Sequence, residues 1–183
     1  MYGYNFDFYE PGEDSYAFLD FLKTENIKNK FILDMGCSTC ILTDLLKINN
    51  CVISLDKNIK ALNYIVKNII SHNYNLVYGD LFIGINPSVF DIIIFNPPYV
   101  LDTETIEYED YIVTGGPDGC KVINQFIDIL NNYKINTIYL LIIKANNMNK
   151  IENKINKNNY NIELKNVKQI IGETLLIYKI TSK

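Results

Sequence analysis

Phe90-Asp91-Ile92-Ile93-Ile94-Phe95 is, after Asp91, apolar on both faces and β-branched, and Asn96-Pro97-Pro98 closes it at once. A run with no wet face reads as a strand buried on both sides, as in a parallel sheet covered by helices. Six further runs fit the same sheet. Residues 31–34 stop short of Gly36, residues 51–55 end at Asp56, and residues 75–78 precede Gly79-Asp80. Residues 137–143, 162–167 and 174–180 complete the set. Helices are predicted over 42–48, 58–70, 122–130 and about 149–156; in the second, Ile59, Leu62, Ile65, Val66 and Ile69 recur at helical spacing behind Asn58, a fair N-cap. Strands alternating with helices imply βαβ units, right-handed crossovers and an α/β fold with a mostly parallel seven-stranded sheet carrying helices on both faces. The 183 residues have room for one such domain, expected to span 1–183.

In sheets of this kind ligands sit beyond the carboxyl ends of the strands, near the point where strand order reverses. Asp34, Asp56, Asp80 and Asn96 all fall at or just after predicted strand ends, so polar residues collect on one rim. Asp56, about 20 residues past the first turn, has the placement of an acid that accepts from ribose hydroxyls. Asp34 is suited to a cofactor amino group and Asp80 to an adenine amine. A helix cap or a solvated loop acid would explain any one of them, but not three at successive strand ends. The first turn reads Gly36-Cys37-Ser38-Thr39-Cys40, where a nucleotide-binding loop would repeat glycine. Small residues at 38 and 40 leave room for close approach but are expected to lack free access to positive φ.

Asn96-Pro97-Pro98-Tyr99 is the most specific signal. An amide nitrogen is a poor nucleophile because its lone pair is delocalised into the carbonyl. Two acceptors, the Asn96 side-chain oxygen and the Pro97 carbonyl, can take both N–H groups of a planar amide or amine, orient the nitrogen and raise its electron density. Prolines fix the backbone so that the carbonyl points one way. Tyr99 can stack on the planar group and lie beside a cation. A rigid turn ending a strand would need only the prolines.

Composition removes several classes. The net charge is -4, and all 17 basic residues are lysine, with no arginine to grip phosphates or guanine edges. Nucleic acid is therefore a less apt substrate than protein. No apolar run reaches the roughly 18–20 residues of a bilayer span, and the start lacks the basic and apolar regions of a secretory signal. The expected location is the cytoplasm, with the nucleus open. Cys37 and Cys40 have CxxC spacing, but a zinc site would need two more ligands and His72 is the single histidine, so no metal is expected.

These motifs resemble the HemK-like N5-glutamine methyltransferases, and within them the short eukaryotic and archaeal branch acting on the class 1 translation termination factor. The resemblance covers nearly the whole chain: Tyr9-Glu10-Pro11-Gly12-Glu13-Asp14-Ser15, Asp34-Met35-Gly36, Asp56, Asp80-Leu81, Asn96-Pro97-Pro98-Tyr99-Val100, Gly115-Gly116-Pro117-Asp118-Gly119 and Leu141-Ile142-Ile143-Lys144-Ala145-Asn146-Asn147. It implies a Rossmann-like class I methyltransferase domain and transfer of a methyl group from S-adenosyl-L-methionine to the glutamine of a Gly-Gly-Gln motif. It also implies cofactor contacts at Ser15, Asp34, Gly36, Asp56, Asp80, Leu81 and Asn96, catalytic roles for Asn96, Pro97 and Tyr99, and substrate contacts along Asn96, Pro97, Pro98 and Tyr99. Ser15 stands where the family has threonine. Eight residues precede Tyr9, so the extra N-terminal helical domain of bacterial relatives is expected to be absent. Members of this branch use a small zinc-binding activator protein, and residues 76–78, Leu76-Val77-Tyr78, should form an edge strand to which such a partner could add its own. The loop over 101–116, with Asp102, Glu104, Glu107, Glu109 and Asp110, is expected to lie over the site. DNA adenine-N6 methylation, protein-lysine methylation and a non-catalytic scaffold stand as alternatives.

Overall fold

The computed structural model describes residues 7–68, 74–102, 112–155, 157 and 159–183. His72, Ile69, Ile70 and the acids Glu104, Glu107, Glu109 and Asp110 lie outside them, as does most of the loop expected over the site. Seven strands form one sheet: β1 (Phe31–Met35), β2 (Cys51–Asp56), β3 (Asn75–Tyr78), β4 (Ile92–Phe95), β5 (Thr137–Ile143), β6 (Tyr160–Ile170) and β7 (Glu173–Ser182). Their order is β3-β2-β1-β4-β5-β7-β6. The first five are parallel; β7 runs antiparallel between β5 and β6. The helices are α1 (Glu13–Thr24), α2 (Ile41–Leu46), α3 (Ile59–Asn68), α4 (Lys121–Leu130) and α5 (Met148–Lys154).

Chain progress along the sheet reverses at β1. From β1 it moves out to β2 and β3, then returns to β4 and on to β5. With right-handed crossovers on both sides of that point, α2 and α3 cover one face and α4 the other. The central strands are apolar on both sides because both faces are covered: Ile32, Leu33, Ile93 and Ile94 are fully buried. The same reversal opens a crevice beyond the carboxyl ends of β1 and β4.

Local chemistry sets most element ends. Asn58 caps α3, its side-chain oxygen accepting from the Lys60 N–H at 3.0 Å. Asn147 caps α5, accepting from Lys150. The β6–β7 hairpin turns through two residues, with Gly172 taking the φ of +86° that a side chain would resist. Strand β6 is longer than its apolar stretch suggests, because an edge strand presents polar residues outward and pairs through its backbone. Strand β4 starts at Ile92, not Phe90, since Asp91 turns to accept from the Phe31 N–H at 2.9 Å.

No helix before Phe31 is read from the sequence, yet α1 is the longest helix in the protein's described part. Ala17, Phe18, Phe21 and Leu22 form its buried stripe, and its Glu25 cap carboxylate accepts from Lys179 and Tyr139 of the far strands. This helix carries Asp14 to the crevice. No helix among the described residues is long and apolar enough to cross a membrane.

Candidate active site

A cavity of about 610 Å³ opens at the carboxyl ends of β1, β2, β3 and β4. Gly36, Asp56, Asp80, Leu81, Asn96, Pro97, Pro98 and Tyr99, from four separate strand ends, line it together. Ser15 and Asp34 do not. Ser15 is buried on α1. Asp34 lies behind the first turn, where it accepts from the Thr43 hydroxyl at 2.6 Å; that hydroxyl also meets Ser54 at 2.7 Å. Asp34 thus ties β1 to α2 and supports the loop from beneath.

The first turn corrects the expectation drawn from its missing glycines. Gly36, Ser38 and Cys40 have φ of +67°, +43° and +65°, so the alternate positions keep the backbone of a glycine-repeat loop without the glycines. Left-handed φ costs a non-glycine residue roughly 1–2 kcal/mol, and the surroundings must hold it. Asp56 does so directly: one carboxylate oxygen accepts from the Ser38 N–H at 2.8 Å, the other from Asn58 at 2.7 Å. The Leu55 carbonyl takes the N–H groups of Gly36 and Cys37. Leu81, with φ of +48°, is a further strained residue on the wall. Burial raises the Asp56 carboxyl above its ordinary range.

Asn96-Pro97-Pro98-Tyr99 forms the opposite wall. The Asn96 Nδ2 donates to Asp14 Oδ2 at 2.8 Å. Its Oδ1 is buried and has no hydrogen-bond partner among the described residues. An orphaned buried acceptor is unfavourable in itself, and Asn96 is a residue of the cavity lining. The Tyr99 hydroxyl reaches Glu173 at the β6–β7 turn, at 3.4 Å. Burial, then the charges of Asp14 and Glu173, push the Tyr99 phenol above any physiological range, so it stays protonated and neutral.

The glycines of 115–119 have a steric reason. A Cβ on Gly119 would fall 2.2 Å from the Tyr99 carbonyl and 2.3 Å from Asn146 Nδ2, and one on Gly115 would fall 2.7 Å from the Pro98 carbonyl. This loop packs backbone to backbone on the Pro98-Tyr99 segment. Val100 pairs with it, donating to Val113 and accepting from Gly115. Asn146, fully buried, locks the arrangement: Nδ2 donates to the Tyr99 carbonyl at 2.8 Å and Oδ1 accepts from the Ile143 N–H at 2.9 Å. Asp14 and Asn146 carry no signal of their own in the sequence beyond the motifs that contain them, because their partners lie 82 and 47 residues away.

The cavity can take a nucleoside-bearing cation. Its lining has Asp7, Asp14, Asp56 and Asp80 against Lys57 and Lys60, and the bent first turn brings backbone close to any ligand lying on it.

Two outcomes check this geometry. Gly119→Ala, blocked by both its φ of +66° and the Tyr99 carbonyl, should lose at least about 2 kcal/mol of stability in urea unfolding, as backbone-incompatible substitutions do; a loss near zero would contradict the packing. Burial pushes the Asp34 carboxyl up to about 7 from its ordinary 3.8. Between those values the folded chain holds a proton that the unfolded chain has released, so Asp34's contribution to stability falls as pH rises through that window and is constant above it. Asp34→Asn should therefore gain stability relative to wild type between pH 4.5 and 7.5, read from urea midpoints; a difference independent of pH would refute the assignment.

The methyltransferase small domain model matches residues 11–115. A chain in the structure of the E. cuniculi Mtq2–Trm112 complex, responsible for methylation of the eRF1 translation termination factor, superposes with a TM-score of 0.83 and 37% identity, over 97% of this chain and 99% of that one. The eRF1 methyltransferase catalytic subunit mtq2 of Schizosaccharomyces pombe is 28% identical over 207 residues, covering 95% of this chain and 89% of that protein. A Methanocaldococcus jannaschii protein described as a protein N5-glutamine methyltransferase is 32% identical over 132 residues, 68% of this chain and 66% of the relative. On the fold, the Asn96–Tyr99 wall and these likenesses together, the chain belongs to the methyltransferase small domain family, among the HemK-like N5-glutamine methyltransferases.

Proposed function

We propose that this chain transfers a methyl group from S-adenosyl-L-methionine to the side-chain amide nitrogen of the glutamine in the Gly-Gly-Gln motif of a class 1 translation termination factor. The observation that carries this reading is the orphaned Asn96 Oδ1 at the cavity wall, beside a proline carbonyl and a neutral tyrosine. It is supported by the likeness to eRF1 methyltransferases over nearly the full chain.

The cofactor, when bound, supplies an electrophilic methyl group on a sulfonium. Gly36, Asp56, Asp80 and Leu81 would hold it, with Asp56 next to the first turn as the acceptor suited to ribose hydroxyls. Asn96 Oδ1 and the Pro97 carbonyl accept the two N–H groups of the substrate amide, so that its lone pair faces the cofactor side of the cavity. Accepting both hydrogen bonds raises electron density on a nitrogen that resonance otherwise makes a weak nucleophile. One N–H proton would leave along these hydrogen bonds to water as the nitrogen gains the methyl group, and the neutral thioether would be the leaving group. The fixed prolines and the neutral Tyr99 ring hold the planar group in place. The rate gain then comes from positioning and preorganised dipoles.

A partner belongs to the same reading. Strand β3 is the sheet edge, paired only to β2 among the named strands. Its Tyr78 is 66% exposed, and Val66 of α3, before β3 in the chain, and Ile83, after it, are exposed apolar residues. An open edge with apolar neighbours is suited to an added strand. We assign this edge to the small zinc-binding activator.

Labelled methyl transfer to a purified termination factor, by the chain co-expressed with its activator, tests the activity. The expected product carries one methyl on the Gly-Gly-Gln glutamine, and Asn96→Ala should slow its formation at least about 100-fold, the scale for a lost catalytic hydrogen-bonding group; unaltered transfer by the variant would refute the role of Asn96. Tyr78→Asp should weaken activator binding at least about tenfold by titration calorimetry, as loss of an interface aromatic does, while leaving the thermal transition of the isolated chain in place. Undiminished affinity would move the interface elsewhere.

A further inference from the structure

A carboxamide can be seated two ways, with oxygen and nitrogen exchanged, and the two have nearly the same shape. A site that receives an amide's N–H groups needs the Asn96 oxygen, not its nitrogen, toward the cavity. Shape alone does not choose. The residue that can choose is the one that accepts from the amide nitrogen.

Asp14 occupies that position. It is 5% exposed, sits in the first turn of α1, and accepts from Asn96 Nδ2 at 2.8 Å. Its second oxygen accepts from the Tyr9 hydroxyl. Burial first, then the Asp14 charge, hold the Tyr9 phenol well above its ordinary range, so it keeps the proton it donates. The Gly12 N–H donates to the same phenol oxygen at 3.2 Å, and a Cβ at Gly12 would stand 2.7 Å from that oxygen and 3.0 Å from Asp14 Oδ1. Glycine leaves the space in which phenol and carboxyl meet. Seating Asn96 the other way would set its oxygen against a carboxylate oxygen and turn two donors toward the substrate's own donors.

We propose that Asp14, fastened by Tyr9, is the positioning residue that fixes the Asn96 amide with its oxygen facing the cavity, and so selects an acceptor nitrogen bearing N–H donors. This rests on the methyl-transfer reading for its consequence, but the seating of Asn96 is a property of the chain itself. The contact also polarises the amide: an N–H given to a carboxylate strengthens the carbonyl oxygen at the other end as an acceptor.

The test uses the full chain with its activator and the variants Asp14→Ala, Asp14→Asn and Asn96→Ala. In ¹⁵N-labelled protein, the side-chain amide signals missing from Asn96→Ala belong to Asn96. They should show one hydrogen-bonded, slowly exchanging proton in wild type, and lose it in Asp14→Ala. Single-turnover transfer by Asp14→Ala at saturating cofactor should fall about 100-fold, the scale for misplacing a reacting group. Asp14→Asn, whose carbonyl can still accept from Asn96 while its own N–H turns to Tyr9, should recover much of the rate; this variant also serves if Asp14→Ala fails to fold. Unchanged Asn96 signals in Asp14→Ala would overturn the proposal. So would a rate within threefold of wild type, or a loss confined to cofactor affinity. If wild type transfers nothing to the termination factor while the Asn96 signals shift as expected, the substrate reading falls and the seating stands.

Discussion

Asn146 donates to the Tyr99 carbonyl and accepts from the Ile143 N–H, which joins the end of β5 to the segment leaving β4. Both groups are buried, so neither hydrogen bond competes with water, and breaking one would leave an amide without a partner. The 115–119 loop closes over this join, and Gly115 and Gly119 admit the Pro98 and Tyr99 carbonyls at distances no side chain would allow. Fixed from behind in this way, the Asn96–Tyr99 segment cannot relax inward. Asn96, which lines the cavity, keeps a buried Oδ1 with no partner among the described residues.

The first-turn side of the cavity is built on strain. Ser38, Cys40 and Leu81 hold left-handed backbone that glycine would take at no steric cost. Asp56 receives two backbone N–H groups, and Asp34 secures α2 through Thr43, so the acids at the first two strand ends act as struts for the loop. Asp56 also lines the cavity, and Asp34 does not. Strain held in this fashion beside a ligand cavity is a common property of functional sites.

Much of the fold is legible because its causes are local. Strand β4 is recognisable from six consecutive residues, α3 from its apolar spacing and Asn58, and the rim from acids at strand ends. The Asn96–Tyr99 wall is legible for the same reason. The misses have non-local causes. The backbone at Ser38 and Cys40 is dictated by Asp56, 18 residues from Ser38, and residue type alone pointed the other way. Asp14 and Asn146 gain their roles only through partners far along the chain. Helix α1 has a readable stripe at Ala17, Phe18, Phe21 and Leu22, but Pro11-Gly12 before it suggests a loop.

In the proposed reaction Asn96 presents an acceptor to a substrate amide, held in that sense by its hydrogen bond to Asp14. A crystal structure of the chain and its activator with demethylated cofactor and a Gly-Gly-Gln peptide tests it most directly. The glutamine nitrogen should lie within hydrogen-bonding distance of Asn96 Oδ1 and the Pro97 carbonyl, with Asn96 Nδ2 still on Asp14. A glutamine nitrogen bound elsewhere, or an Asn96 amide turned with its nitrogen toward the peptide, would contradict it.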